Sequence, residues 1–528
     1  MLRENTGNTL TTPPITTAPP SGFGRHVKHI SQQSSVFLLG TLFSTAAGYF
    51  FKIYLARVLG AEALGIYALG MTVVCLAGIV AAVGLPQTAS RFVAVYSATG
   101  ESRRLGRFLW SAAAVLVASN LLVGILLLVV KPWIAGRLYH TPALATYMHL
   151  FVLIMLAGAL TNFLGQALAG FKDVAKRTII TNFIGQTLTI ALTITLVTAG
   201  YGFKGYLVAQ VVSALIVLLL LGRANWRLSP PRARIPSVGW PILEAEVVSF
   251  SMVLLAVQGL EFLASQSDKV LLGIYLNARE VGIYSIATTL VGFVSILLQS
   301  TNQIFAPTIA ELHASQQSEL LLSLYQLLTK WVLGFTLPLA FVMMMFARPL
   351  MEIFGREFGE GWLVLVIATF SQLVNCGVGS VGQLLLMSGQ QHRMVRGQAI
   401  AVPISLLLNV LLIPRTGLIG AAVTAAVTNV LLNLLWLRDV KRTLSLAPSR
   451  RGYISLLLPG ASALTAVLLV HRGFSGTRHN FLSVIAGLVA GYGVFVLSAL
   501  VVGLDSSDRM LARSAWQQVR RSFGFSNV

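Results

Sequence analysis

Lys52, Glu261 and Lys269 fall inside or at the edge of long apolar runs of this 528-residue chain. An ionisable group in hydrocarbon costs a few kcal/mol unless it meets water or a partner, so each is a candidate for handling charge. An ammonium there can balance a phosphate, and a carboxylate can carry a proton or a cation. Lys52 either snorkels to headgroups or lines a cavity. Lys269 follows Asp268 and is expected at the membrane interface. Glu261, two turns before Asp268, is the ion-coupling candidate or else the partner of a lysine. Arg91, after Pro86, either meets a phosphate or simply adds to the charge bias of its loop. The run Gln299-Ser300-Thr301-Asn302-Gln303 packs amides and hydroxyls into an otherwise apolar stretch. Gln299, Asn302 and Gln303 suit either helix–helix hydrogen bonds or the hydroxyls of a sugar. Asn120, Asn162, Gln166, Asn182, Gln186, Gln210, Gln372, Asn375, Gln383, Asn409, Asn429 and Asn433 raise the same question on other helices, where each taken singly reads as helix–helix hydrogen bonding.

The chemistry that is missing is equally informative. The sequence carries no metal-ligand spacing of Cys and His, no phosphate-binding GxxxxGK[ST] loop and no acidic pair placed for glycosyl transfer. Its 8 histidines are scattered. No cofactor and no catalytic residue is expected, and without a nucleotide site any transport would run on an ion gradient, on the membrane potential, or downhill. The two cysteines, Cys75 and Cys376, lie far apart in apolar runs and read as packing residues.

These side chains need elements to hold them, and composition says which. Hydrophobic residues make up 55% and charged residues only 10%, against about 25% charged in a soluble domain. The bilayer is the natural solvent. A formal charge of +21 could suggest nucleic acid, but the basic residues lie between apolar runs instead of on one polar face, which excludes that partner. About fourteen runs of roughly 20 apolar residues, from 34–57 to 481–503, predict an all-α polytopic membrane protein. Loops on one side hold about 25 Lys and Arg against about 11 on the other, which places both termini in the cytoplasm. Arg57, near the other end of the first run, is expected to snorkel.

The chain also repeats itself. KIYLARVLGAEALGIY at Lys52–Tyr67 returns 217 residues later as KVLLGIYLNAREVGIY at Lys269–Tyr284. Gly165-Gln166 returns at Gly382-Gln383 with the same offset, and Gly202-x-x-Gly205 returns at Gly417-x-x-Gly420 with an offset of 215. Three matches in one order argue for a duplicated half. An even number of crossings per half makes the repeat parallel.

The expected organisation is a disordered cytoplasmic tail (1–32), an N-lobe of helices 1–6 (33–222), a basic, Pro-rich cytoplasmic linker (223–242), a C-lobe of helices 7–12 (243–440), helices 13–14 (441–504) and a basic cytoplasmic tail (505–528). Two lobes with amides and cations between them suit a cavity that opens to alternate sides.

LARVLGAEALGIYALG with GLPQTASRFVA, SDKVLLGIYLNAREVGIYSIA, and LLNVLLIPRTGLIGAAVTAAVTN resemble the polysaccharide transporter, or oligosaccharide flippase, family. The resemblance covers roughly residues 34–440. That family is related to the lipid II flippases, the sporulation protein B relatives and the multidrug and toxin extrusion transporters. The resemblance implies a two-lobed, alternating-access flippase in the bacterial inner membrane. Its implied cargo is an undecaprenyl-diphosphate-linked oligosaccharide for surface polysaccharide. Membrane lipids, glycosyltransferases and a polymerase of the same pathway are the partners it implies. A lipid II flippase and a cation-coupled multidrug exporter are the alternatives, with a membrane-embedded glycosyltransferase or polymerase third. The first helix lacks the acid that multidrug relatives often carry there, and none of the loops is large enough for a catalytic site.

Overall fold

A computed structural model of the chain describes residues 23–234, 243–474 and 480–502. Among these residues the structure consists of helices joined by short turns, with no strand. Lipid offers the backbone no hydrogen bonds, so apolar runs of this length satisfy their own N–H and C=O groups as helices.

In chain order the helices are α1 (Phe23–Ala82), α2 (Leu85–Ala98), α3 (Ser102–Trp133), α4 (Pro142–Gly170), α5 (Val174–Thr178), α6 (Gln186–Leu196) and α7 (Gly202–Leu228). The second half follows with α8 (Ala245–Tyr275), α9 (Ala278–Ala314), α10 (Ser318–Met345), α11 (Ala347–Glu352), α12 (Trp362–Val378), α13 (Val381–Met387), α14 (Gln391–Thr416) and α15 (Leu418–Thr443). The last two are α16 (Arg450–Gly473) and α17 (Asn480–Val502).

Among the described residues, twelve runs are long and apolar enough to cross a membrane, and two of them are too long for one crossing. Leu39–Ala82 has 44 residues and Val174–Leu228 has 55. At 1.5 Å per residue these are about 66 and 80 Å of helix, against about 30 Å of hydrocarbon. The first turns back at Gly60 (φ 81°, ψ 174°). The second breaks at Gly200 and Gly202 (φ 93° and 50°). Counting the halves separately gives about fourteen crossings, the number that the apolar pattern predicts.

The second turn carries the mark of the repeat. Gly202 (φ 50°, ψ −133°) and Gly417 (φ 60°, ψ −132°) have almost the same backbone. Three residues on, Gly205 and Gly420 each press on the end of the preceding helix. A Cβ on Gly205 would sit 3.1 Å from Leu196, and one on Gly420 would sit 2.6 Å from the Leu412 carbonyl.

Other boundaries differ from the apolar pattern. The run at 63–86 does not stay helical to its end: α1 stops at Ala82, Val83 and Gly84 take positive φ, and α2 starts with Pro86 in its first turn. Proline is tolerated there and disruptive within a helix, so the chain breaks just ahead of it. The run at 361–387 divides at Gly379 (φ 78°, ψ −151°) into α12 and α13. The connection around 347–361 is folded as α11 and a 3-10 turn at Arg356–Gly361. Helix α1 already begins at Phe23, within the segment expected to be a tail. The Pro-rich stretch 235–242, His479 and the basic segment beyond residue 502 lie outside the described residues. Of the cysteines only Cys376 is buried; Cys75 is exposed.

The largest cluster of buried apolar residues joins the two halves. It includes Ala61, Leu64 and Leu69 of α1 with Ala278, Ile283 and Tyr284 of α9, and Met351 and Phe358 beside them. The core therefore sits where the repeated hairpins cross.

Candidate functional site

At that crossing the two copies of Gly-Ile-Tyr meet. A Cβ on Gly65 would collide with the Ala278 carbonyl, and one on Gly282 with the Ala61 carbonyl. Ala61 and Ala278 are repeat mates, as are Gly65 and Gly282, so each contact is the image of the other. Glycine is needed at both positions because helix backbones approach to direct contact.

Nine residues before Ala61 and Ala278, about two and a half helical turns, lie the repeated lysines. Lys52 donates to Thr289 Oγ1 of α9 at 3.0 Å, reaching from the first half to the second. Lys269 donates to Gln266 Oε1 of its own helix at 3.0 Å. Lys269 is close enough to act electrostatically on both Lys52 and Cys75 of α1. The neighbouring acid is otherwise engaged: Asp268 accepts from the Tyr284 hydroxyl at 2.6 Å and from the Lys269 backbone N–H at 2.8 Å. Among the described residues, neither ammonium has a carboxylate partner within ion-pair distance. Two cations within reach of each other and without a counter-ion form a site for an anionic group. Tyr49 borders it, stacked on Phe293 at 4.0 Å and donating to the Thr289 carbonyl at 3.2 Å.

Beyond the crossing, away from the arginine-rich loops, polar bonds tie the halves together. Glu357 Oε1 accepts from the Ala61 backbone N–H at 2.7 Å, and Arg57 donates to the Ile353 carbonyl at 2.8 Å. Arg57, expected to snorkel, therefore binds the other half. Arg279 holds Glu360 through two bonds of 2.8 Å.

At the arginine-rich end, α2 of the first half meets α8 of the second. Thr88 and Ser251 hydroxyls lie 2.8 Å apart, and Gln87 donates to Gln258 at 3.3 Å. Arg91 stacks over Phe250, 4.4 Å from the ring centre, and pairs with Glu246 at 3.6 Å. Tyr96 donates to Glu244 at 3.2 Å. Burial first, and then the Glu244 carboxylate, push the Tyr96 phenol up to about 12, so it stays a neutral donor.

The predicted residues thus divide among four places. Lys52 and Lys269 lie within electrostatic reach of each other, Lys52 bonded across the halves and Lys269 within its own helix. Arg91 is separate, engaged at the α2–α8 contact. Gln299 and Asn302 line a cavity of about 210 Å³ within the second half, while Gln303 is exposed and does not border it. Glu261 is exposed on α8 and has no ion pair among the described residues. The sequence pattern did not single out Glu357, Thr289 or Tyr284. Their partners lie far along the chain for Glu357 and Thr289, and only the repeat, which aligns Tyr284 with Tyr67, offered a signal. Among the described residues, no group of three or more His, Cys, Asp and Glu is placed to hold a metal.

A family model described as "Polysaccharide biosynthesis protein" matches residues 30–313. The "Probable low-salt glycan biosynthesis flippase Agl15" of Haloferax volcanii is 22% identical over 405 residues, 76% of this chain and 81% of that one. Among solved structures, the lipid II flippase MurJ in an inward closed conformation superposes with a TM-score of 0.72 at 13% identity, over 88% of this chain and 98% of that one. An inward-facing multidrug resistance MATE family transporter of the MOP superfamily does so with a TM-score of 0.61 at 14% identity, over 78% and 97%. The structural likenesses fix the architecture, and the family model, which spans more than half of the sequence, fixes the lineage: the chain belongs to the polysaccharide biosynthesis protein family.

Proposed function

We propose that this protein is a flippase that carries an undecaprenyl-diphosphate-linked oligosaccharide across the bacterial cytoplasmic membrane for surface polysaccharide assembly. The observation that carries the reading is the repeated pair Lys52 and Lys269, two ammonium groups within electrostatic reach and without a counter-ion among the described residues. A diphosphate supplies the missing negative charge, and a prenyl chain can remain in lipid while the head passes between the halves. The name of the Haloferax relative supports a glycan flippase, and the family description supports a part in polysaccharide biosynthesis.

In this reading the lobes, 33–222 and 243–440, rock about the Gly65–Gly282 crossing. The contacts at its outer end and the α2–α8 contacts at the arginine-rich end alternate in opening. The arginine-rich end faces the cytoplasm, as do both termini. Nothing is bonded or broken in the cargo, so the role is transport and not catalysis. Glycosyltransferases and a polymerase of the pathway would make and consume the cargo. Glu261, exposed on α8 two turns before Asp268, is the proposed coupling site for an ion.

Deleting the gene tests this directly. The expected result is lipid-linked glycan trapped on the cytoplasmic leaflet and surface polysaccharide lost, both restored by the wild-type gene and not by the Lys52→Ala, Lys269→Ala double variant. Unchanged glycan with altered tolerance to cationic drugs would replace the flippase reading with an exporter.

A further inference from the structure

The cavity in the second half has a composition that neither the lysine pair nor helix packing explains. It lies where α12 ends and α13 begins, and is walled by α9, α14 and α15. Its volume of about 210 Å³ would hold about seven waters at liquid density. No acidic or basic residue and no histidine lines it.

What does line it is a set of six amides, of which Gln299 bonds to Ser295 and Asn433 to Asn429 while the other four have bonding capacity left over. Asn302 Oδ1 is fully buried and has no partner. The side chains of Gln372, Asn375 and Gln383 make no hydrogen bond to any described residue, yet all three border the cavity. A buried amide group left unpaired costs about 1–3 kcal/mol, so Asn302, with three half-buried amides free to bond around the same space, marks a place where something else supplies donors and acceptors. On another wall stands the indole of Trp436, fixed by its N–H bond to the Met394 carbonyl at 3.3 Å and by contact with Gly382 and Gly397. The helix break at Gly379 opens the space, as non-helical backbone at membrane depth does where it lines a polar cavity.

We infer that this cavity is a subsite for one uncharged pyranose ring. Alternating amide donors and acceptors suit its hydroxyls, and an indole face suits the C–H face of the ring. The absence of charge excludes a phosphate and leaves a metal cation without a carboxylate. The inference rests on the flippase reading and extends it. Gln299, at the cavity, is ten residues along α9 from Thr289, at Lys52, or about 15 Å. A diphosphate at the lysines can therefore place a sugar of the same head group here, toward the arginine-rich end.

The test uses the full chain in liposomes with two probes, a short-chain fluorescent prenyl diphosphate and the same lipid bearing one hexose. In the Asn375→Leu, Gln383→Met double variant, the ratio of glycosylated to bare lipid transport is expected to fall about tenfold, the effect of two lost hydrogen bonds. An unchanged ratio would overturn the inference, whether both rates fall together or neither does. If wild-type protein moves neither lipid, the flippase reading fails, and the subsite is judged by binding alone. Saturation-transfer NMR of detergent-solubilised protein with a panel of methyl hexopyranosides should show contact that Gln383→Met weakens. Equal contact in both proteins, or none in either, would leave the cavity as a water site only.

Discussion

The two copies of the hairpin are capped in different ways. In the second half, Asn277 precedes α9 with extended backbone (φ −113°, ψ 169°) and its side chain accepts from the Glu280 N–H at 3.0 Å. At the matching position of the first half stands Gly60, at φ 81° and ψ 174°. That conformation belongs to glycine, so the position has no side chain with which to cap. The cap comes from Glu357 of the other half, through the Ala61 N–H. One hairpin is therefore complete by itself, while the other is completed only when the halves are together. The difference teaches how a duplicated fold can gain a latch: one copy has given its own cap over to its partner. Opening this end would leave a helix N-terminus and a carboxylate to find water, a cost felt in one state only.

The lysines show the same division, with Lys52 reaching across the halves and Lys269 bonded within its helix. Replacing either by alanine is expected to lower liposome transport of a diphosphate lipid about ten- to a hundredfold, since bonds to a charged group contribute about 1.5–3 kcal/mol. A loss confined to Lys52→Ala would mean that the bridge to Thr289 matters and the charge pair does not.

Next come the glycines of the crossing. Gly65→Ala and Gly282→Ala should each force the backbones apart, for about 1–3 kcal/mol. Distances between spin labels at the Gly60 turn of α1 and the start of α9 should lengthen equally in both. A one-sided effect would break the symmetry of the crossing.

The caps separate the two copies most clearly. Asn277→Ala should lower thermal stability by about 1 kcal/mol and leave the label distances alone. Glu357→Ala should do the reverse, populating the open outer end with little change in melting. If both variants behave alike, Glu357 is an ordinary cap and no latch. Smallest of all should be Arg279→Ala. The Arg279 and Glu360 side chains are 38% and 61% exposed, so the pair is worth below about 1 kcal/mol despite its good geometry.

Parts of this arrangement were legible in advance. Apolar runs and charged loops report on each segment's own solvation, so the helices and the repeat could be read without knowing what packs on what. Gly202 and Gly417 were matched by letters alone and have the same dihedrals. The candidate site was only half legible. Lys52 and Lys269 stood out because charge in an apolar run is conspicuous, but their proximity was not visible. Gln299 and Asn302 were noticed with Gln303, yet only the first two reach the cavity, because helical rotation turns the third away.

The sequence by itself determined the solvent, the number of crossings and the duplicated halves, because hydropathy and repetition are properties of contiguous segments. Tertiary structure alone decided the pairings. The bond from the Ala61 N–H to Glu357 spans 296 positions and that from Lys52 to Thr289 spans 237. Both depend on the angle at which one half meets the other. That angle follows from glycine contacts between backbones, and backbone approach leaves no mark on the sequence beyond two small residues.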